Sequence, residues 1–130
     1  MFFQINTSDG VPVYEQVSRR ITFAVASGGL VVGEMVPSVR VMARQLAINP
    51  NTVARAYRQL QDQGVIETVR GSGLAVSKGA KSKCITARNR LLRQRIEQVV
   101  MEARQSQMSD KEIKKIVNEE LKRKNSHPVS

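Results

Sequence analysis

The stretch from Leu46 to Tyr57 constrains this chain most, because Leu-Ala-Ile-Asn-Pro-Asn-Thr-Val-Ala-Arg-Ala-Tyr joins two amphipathic patterns with almost nothing between them. Val39, Met42, Ala43 and Leu46 recur at helical spacing, and so do Val53, Ala56, Tyr57 and Leu60. Only a tight break fits at Ile48 and Asn49. The Asn49 side-chain oxygen can cap the second helix, and Pro50 falls at the first helical position, where a missing amide hydrogen costs nothing. Away from the apolar stripe point Asn51, Thr52, Arg55 and Arg58, donors and acceptors of the kind that reach base edges and phosphates in a major groove. The pattern predicts a helix-turn-helix. An ordinary helical hairpin with a solvated polar face would share it, so the flanks matter.

Those flanks complete a domain. Residues 1–10 form a polar lead-in that closes on Asp9-Gly10, a turn signal, and Pro12 marks the entry to a helix. Tyr14, Val17, Ile21, Ala24 and Val25 repeat at three- and four-residue intervals until Gly28-Gly29 stops the pattern. Gly33 and Pro37 bracket a loop, and Ser38 is a natural N-cap for the next helix. Gly64 ends the third helix. Val65, Ile66 and Val69 then begin a strand that turns through Gly71-Ser72-Gly73 into Leu74-Ala75-Val76. The expected fold is mainly α: a winged helix-turn-helix over residues 11–77, with three helices and a two-stranded wing.

Residues 78–83 are small and basic and read as a linker. Residues 84–124 read as a helical region. Leu92, Ile96, Val99, Val100 and Ala103 line one face of a helix of roughly 20 residues, about 30 Å long. Ser109 and Glu112 have capping-box spacing, and Ile113, Ile116, Val117 and Leu121 continue at helical period. Two such helices bury too little against each other to stand alone, so this apolar stripe predicts a dimerisation surface. Residues 125–130 read as a frayed tail.

Charge narrows the partner. Lys and Arg outnumber Asp and Glu by 21 to 11 in 130 residues, which favours an anionic partner, nucleic acid above all. The excess is uneven: residues 1–80 hold 8 basic and 5 acidic side chains, and residues 81–130 hold 13 and 6. Arg88, Arg90, Arg93 and Arg95 could lie along a phosphate backbone, or the basic helix could be a solvated face. No apolar run is long enough to span a bilayer and no basic N-terminal region precedes a hydrophobic block, so the expected protein is soluble and cytoplasmic, without a membrane partner. Cys84 is the single cysteine and reads as a small semi-buried residue rather than a redox sensor. His127, the single histidine, falls in the tail. No Gly-rich phosphate loop follows a strand and no motif places a carboxylate pair, so no catalytic residue, cofactor or metal is expected. A basic RNA-binding module would share the charge. It would normally display stacking aromatics, whereas here there are only Phe2, Phe3, Phe23, Tyr14 and Tyr57, with both tyrosines at core-like positions.

Four ordered motifs, Pro12-Val13-Tyr14-Glu15-Gln16-Val17, Pro37-Ser38-Val39-Arg40, Asn49-Pro50-Asn51-Thr52-Val53-Ala54-Arg55-Ala56-Tyr57 and Arg70-Gly71-Ser72-Gly73, closely resemble the DNA-binding domain of the GntR family of bacterial transcription regulators. The short helical tail further resembles the YtrA subfamily, whose members carry a small dimerisation region in place of a large effector domain. Met42 departs from the leucine usual in the family, and Leu74-Ala75 from the usual Thr-Phe after the wing glycines. The resemblance implies a homodimeric regulator, more often a repressor, on a near-palindromic double-stranded DNA operator. It leaves control by a small-molecule effector open. It also implies that Ser38 reaches a phosphate and Arg40 a phosphate or base edge. Asn49, Asn51 and Thr52 fall at the tip of the recognition helix, Arg55 is the choice for base readout, and Arg58 is equally consistent with a solvated face. Arg70 would enter or skirt the minor groove, with Gly71, Ser72 and Gly73 forming the tight wing turn.

Overall fold

Each helix of the N-terminal part starts and stops where local chemistry requires. In this computed structural model, which describes residues 5–6 and 10–123, α1 (Val13–Ser27) begins after Pro12 and ends at Gly28, whose φ of 90° is left-handed. Ser38 caps α2 (Val39–Leu46) by accepting the Val41 amide hydrogen at 3.2 Å. Asn49 caps α3 (Pro50–Asp62) by accepting from the Asn51 amide at 2.8 Å. The turn between α2 and α3 places Ala47, not a glycine, in the left-handed region at φ 55°. That conformation costs an L-residue about 1–2 kcal/mol. It is offset by a Schellman pattern in which the Ala47 and Ile48 amides donate to the carbonyls of Arg44 and Ala43 at 3.3 and 3.0 Å.

These ends let three apolar stripes meet. Val17, Ile21 and Val25 of α1, Met42 and Ala43 of α2, and Val53, Ala56, Tyr57 and Leu60 of α3 are buried in one cluster. The valine, isoleucine, methionine and leucine side chains each contribute about 1.5–3 kcal/mol when fully removed from water. Met42 is fully buried, so the departure from leucine is a volume-conserving one. The wing pairs β1 (Ile66–Val69) antiparallel to β2 (Gly73–Val76), with Ile66 opposite Val76 and Val69 opposite Gly73. In β2, Leu74 is half-buried against the core and Ala75 and Val76 are buried, which anchors the strand without the usual aromatic residue.

One reading of the sequence is corrected and two are refined. The stretch between Gly33 and Pro37 is not a plain loop: Met35 bridges to Ala75, and the Val36 amide donates to the Leu74 carbonyl at 2.9 Å. A single bridged residue is too short for periodicity to reveal. Nor are residues 78–83 a linker throughout, because α4 (Ala80–Gln105) starts inside them. Ala80 and Cys84 lie one helical turn apart and are both fully buried in the cluster, with Ile85 packed against it, so Lys81, Ser82 and Lys83 occupy the outer face. Described residues of the lead-in also make contacts. Ile5 packs on the cluster, and the Gln16 side chain accepts from the Asn6 amide at 2.8 Å and donates to the Asn6 and Val11 carbonyls at 2.6 and 2.9 Å. The turn read at Asp9-Gly10 lies partly outside the described residues, although Gly10 has a positive φ of 79°.

Two compact units divide between Asn89 and Arg90, so residues 84–89, read from sequence as part of the helical region, belong to the first. In the second, α5 (Asp110–Lys122) has the complete capping box expected of Ser109 and Glu112. The Glu112 amide donates to Ser109 Oγ at 3.1 Å, and the Ser109 amide to Glu112 Oε1 at 3.2 Å. Between α4 and α5, Gln107 takes a φ of 67°, and Arg104 pairs with Asp110 at 3.3 Å. The tail read at 125–130 lies outside the described residues.

Candidate nucleic-acid interface

The polar stripe of α3 follows from its cap and its core. Because Val53, Ala56, Tyr57 and Leu60 face inward, Asn51, Arg55 and Arg58 occupy the opposite side of the cylinder and are exposed. Thr52, expected beside them, is half-buried, at the edge of the stripe. Asn49 is exposed, but its carboxamide oxygen is engaged in capping. Its side-chain amide donors remain for a partner.

Ser38 and Arg40 are held at the start of α2 by a contact that spacing could not announce. Tyr57 is almost completely buried, and its phenolic oxygen donates to the Pro37 carbonyl at 2.7 Å. Burial drives the Tyr57 phenol well above the ordinary tyrosine range, so it stays a donor at any physiological pH. Ser38 is exposed, and because its oxygen caps α2 its hydroxyl hydrogen stays available to a phosphate. Arg40 is exposed in the first turn of the same helix.

In the wing, Arg70, Gly71 and Ser72 form the turn, and Gly73 opens β2. All four are exposed. Gly71 at φ 79° and Gly73 at φ 118° occupy backbone conformations that L side chains rarely adopt. At Gly73 an added Cβ would also stand 3.3 Å from the Met35 methyl carbon.

Arg55 has a partner the sequence did not disclose. Its guanidinium carbon lies 3.8 Å from the centroid of the Tyr14 ring, so α3 and α1 are joined at the surface by a cation–π stack. The carboxylate of Glu15 is engaged by Arg19 at 3.6 Å and by the Tyr14 hydroxyl at 3.4 Å.

The region just described corresponds to a known family. Residues 13–76 match the family of bacterial regulatory proteins called gntR. The chain is 33% identical over 100 residues to the HTH-type transcriptional repressor YtrA of Bacillus subtilis, covering 77% of each chain. This chain belongs to the GntR family. Among solved structures, this GntR protein superposes on a transcriptional regulator from Oenococcus oeni with a TM-score of 0.68 at 40% identity, covering 90% of this chain and 97% of that one. It is similar also to YtrA from Sulfolobus acidocaldarius, a GntR-family transcription factor, with a TM-score of 0.56 at 28% identity over 95% of this chain and all of that one. The GntR chain is therefore a DNA-binding transcription regulator of YtrA type and not an enzyme.

Other features of the described residues bear on this only at the margin. No described helix is long and apolar enough to cross a membrane. Among the described residues no group of three or more His, Cys, Asp or Glu is placed to hold a metal ion. Cys84, read as semi-buried, is fully buried, and burial raises its thiol pKa, the opposite of activation.

Proposed function

We propose that this regulator is a repressor that binds a near-palindromic operator as a homodimer through the residues assembled on α2, α3 and the wing. The observation that carries the dimer is the apolar surface of the C-terminal unit. Ile96, Val99 and Leu121 are 64%, 63% and 78% exposed, Leu92, Ile116 and Val117 are exposed as well, and no residue of α5 is buried. Val100, Ala103 and Ile113 are half-buried. A twofold packing of this surface on its copy would cover it and set two recognition helices toward successive major grooves. Repression is supported by the similarity to the B. subtilis repressor.

Within each half-site, Asn51 and Arg55 face base edges and Asn49, Thr52 and Arg58 flank them. Ser38 and Arg40 engage the backbone at the start of α2. Arg70 enters or skirts the minor groove from a turn that Gly71, Ser72 and Gly73 keep narrow. The test is selection of binding sites from random duplexes by the purified protein, with single strands and structured RNA as competitors. An inverted repeat with half-sites about 10 base pairs apart is expected. Equal competition by RNA, or a selected site without twofold symmetry, would count against the reading.

A further inference from the structure

We propose that Tyr14, on the first helix and outside the helix-turn-helix, is a positioning residue that sets the plane of the Arg55 guanidinium and thereby the base edge Arg55 reads. The inference rests on the reading of Arg55 as a base-reading residue. It adds a determinant of specificity on α1.

The geometry separates what the stack uses from what it leaves. At 3.8 Å from centroid to guanidinium carbon, the contact places the cation over the face of the Tyr14 ring. A cation–π contact is not a hydrogen bond, so the five N–H donors of the guanidinium stay available to an acceptor. Among the described residues no hydrogen bond or ion pair uses these donors; the Glu15 carboxylate meets Arg19 and the Tyr14 hydroxyl. The fork of Arg55 thus remains unpaired while its orientation is restricted, the state in which a long flexible side chain loses least freedom on meeting a planar acceptor pair such as the O6 and N7 of guanine. Arg58, on the same face and without such a stack, has no comparable restraint.

The experiment measures discrimination between the selected operator and its single-base variants for wild type, Tyr14→Phe, Tyr14→Leu, Arg55→Ala and the double variant Tyr14→Leu/Arg55→Ala. Arg55→Ala identifies the base pair that Arg55 reads. At that pair Tyr14→Leu should lower discrimination about two- to five-fold, the range of an exposed cation–π contact. Affinity for random DNA should not change. Tyr14→Phe, which keeps the ring, should retain discrimination, and Tyr14→Leu should add nothing in the Arg55→Ala background. Full discrimination in Tyr14→Leu, or an equal loss with and without Arg55, would overturn the inference while leaving base readout by Arg55 intact. If Arg55→Ala lowers discrimination at no position, base readout itself fails and this inference with it. Independently of how Tyr14→Leu folds, the ring-current shift of the Arg55 side-chain protons in wild type should persist when operator is added. Its disappearance on binding would show that the stack breaks and would overturn the proposal.

Discussion

Tyr57 donates its phenolic hydrogen to the main-chain carbonyl of Pro37 across 2.7 Å, joining the middle of the recognition helix to the residue that precedes the cap of α2. One buried ring therefore fills the core and fixes where Ser38 and Arg40 begin. Tyr57→Phe keeps the ring and orphans the carbonyl, so it should cost about 1–2 kcal/mol in urea unfolding. The ionised phenol is disfavoured in the fold, so folded Tyr57 loses its proton at higher pH than unfolded Tyr57. The contribution is thus complete below the unfolded value and is lost as pH rises past about 10, by at most about 1.4 kcal/mol per pH unit. Tyr57→Phe should lack this alkaline component. Identical alkaline profiles would show that Tyr57 does not carry it.

The wing should respond unequally to alanine at its two glycines. Gly71 and Gly73 both have positive φ, but only the Cβ at Gly73 would meet another group, the Met35 methyl at 3.3 Å. Gly73→Ala should therefore destabilise by more than the roughly 1–2 kcal/mol that left-handed backbone costs an L-residue, and Gly71→Ala by about that amount. Met35→Ala in the Gly73→Ala background should recover the difference. Thermal unfolding of the wild type and these three variants decides it, and no recovery would mean that Met35 does not hold Gly73 in place.

How much of this was legible in the sequence depends on the range of the interaction. Caps and stops are local, so Ser38, Asn49-Pro50, Gly64 and the Ser109–Glu112 box announced their elements correctly. The start of α4 was hidden because Lys78, Lys81, Ser82 and Lys83 have the composition of a linker, while Ala80 and Cys84, one helical turn apart, are the residues that face the core. The stretch at Met35 escaped because its pairing with Ala75 is contributed by a strand far along the chain. The same holds within the site. Exposure of Arg55 and Arg58 could be read from the period of α3, but the stack on Tyr14 and the bond from Tyr57 to Pro37 depend on tertiary placement that no spacing encodes.

Arg70 should reveal itself through salt. A wing arginine that replaces counterions on the DNA backbone contributes to affinity without much regard to sequence. Arg70→Ala should weaken operator and random DNA by similar factors and reduce the slope of log affinity against log salt by about one unit. Arg55→Ala should instead cost about 1–3 kcal/mol on the operator and far less on random DNA. Fluorescence anisotropy titrations at several salt concentrations separate the two. An unchanged slope and affinity for Arg70→Ala would remove the wing from the interface.

Dimerisation is best tested at positions that a single chain leaves in water. Ile96 is 64% exposed and Leu121 78%, so aspartate at either costs an isolated subunit little, whereas in a twofold interface the same change buries an unpaired charge. Ile96→Asp should raise the dimer dissociation constant at least ten-fold, which corresponds to about 1.4 kcal/mol. The winged helix-turn-helix should unfold as before, because its core ends at Cys84 and Ile85. Without its mate the recognition helix should keep any phosphate contacts but lose a second half-site. Binding should fall to a salt-sensitive, sequence-indifferent level. Sedimentation equilibrium of wild type and variant, run beside operator titrations, checks each step. A wild-type protein that sediments as a monomer at micromolar concentration, and still binds a single operator tightly, would show that specificity does not depend on pairing through α4 and α5.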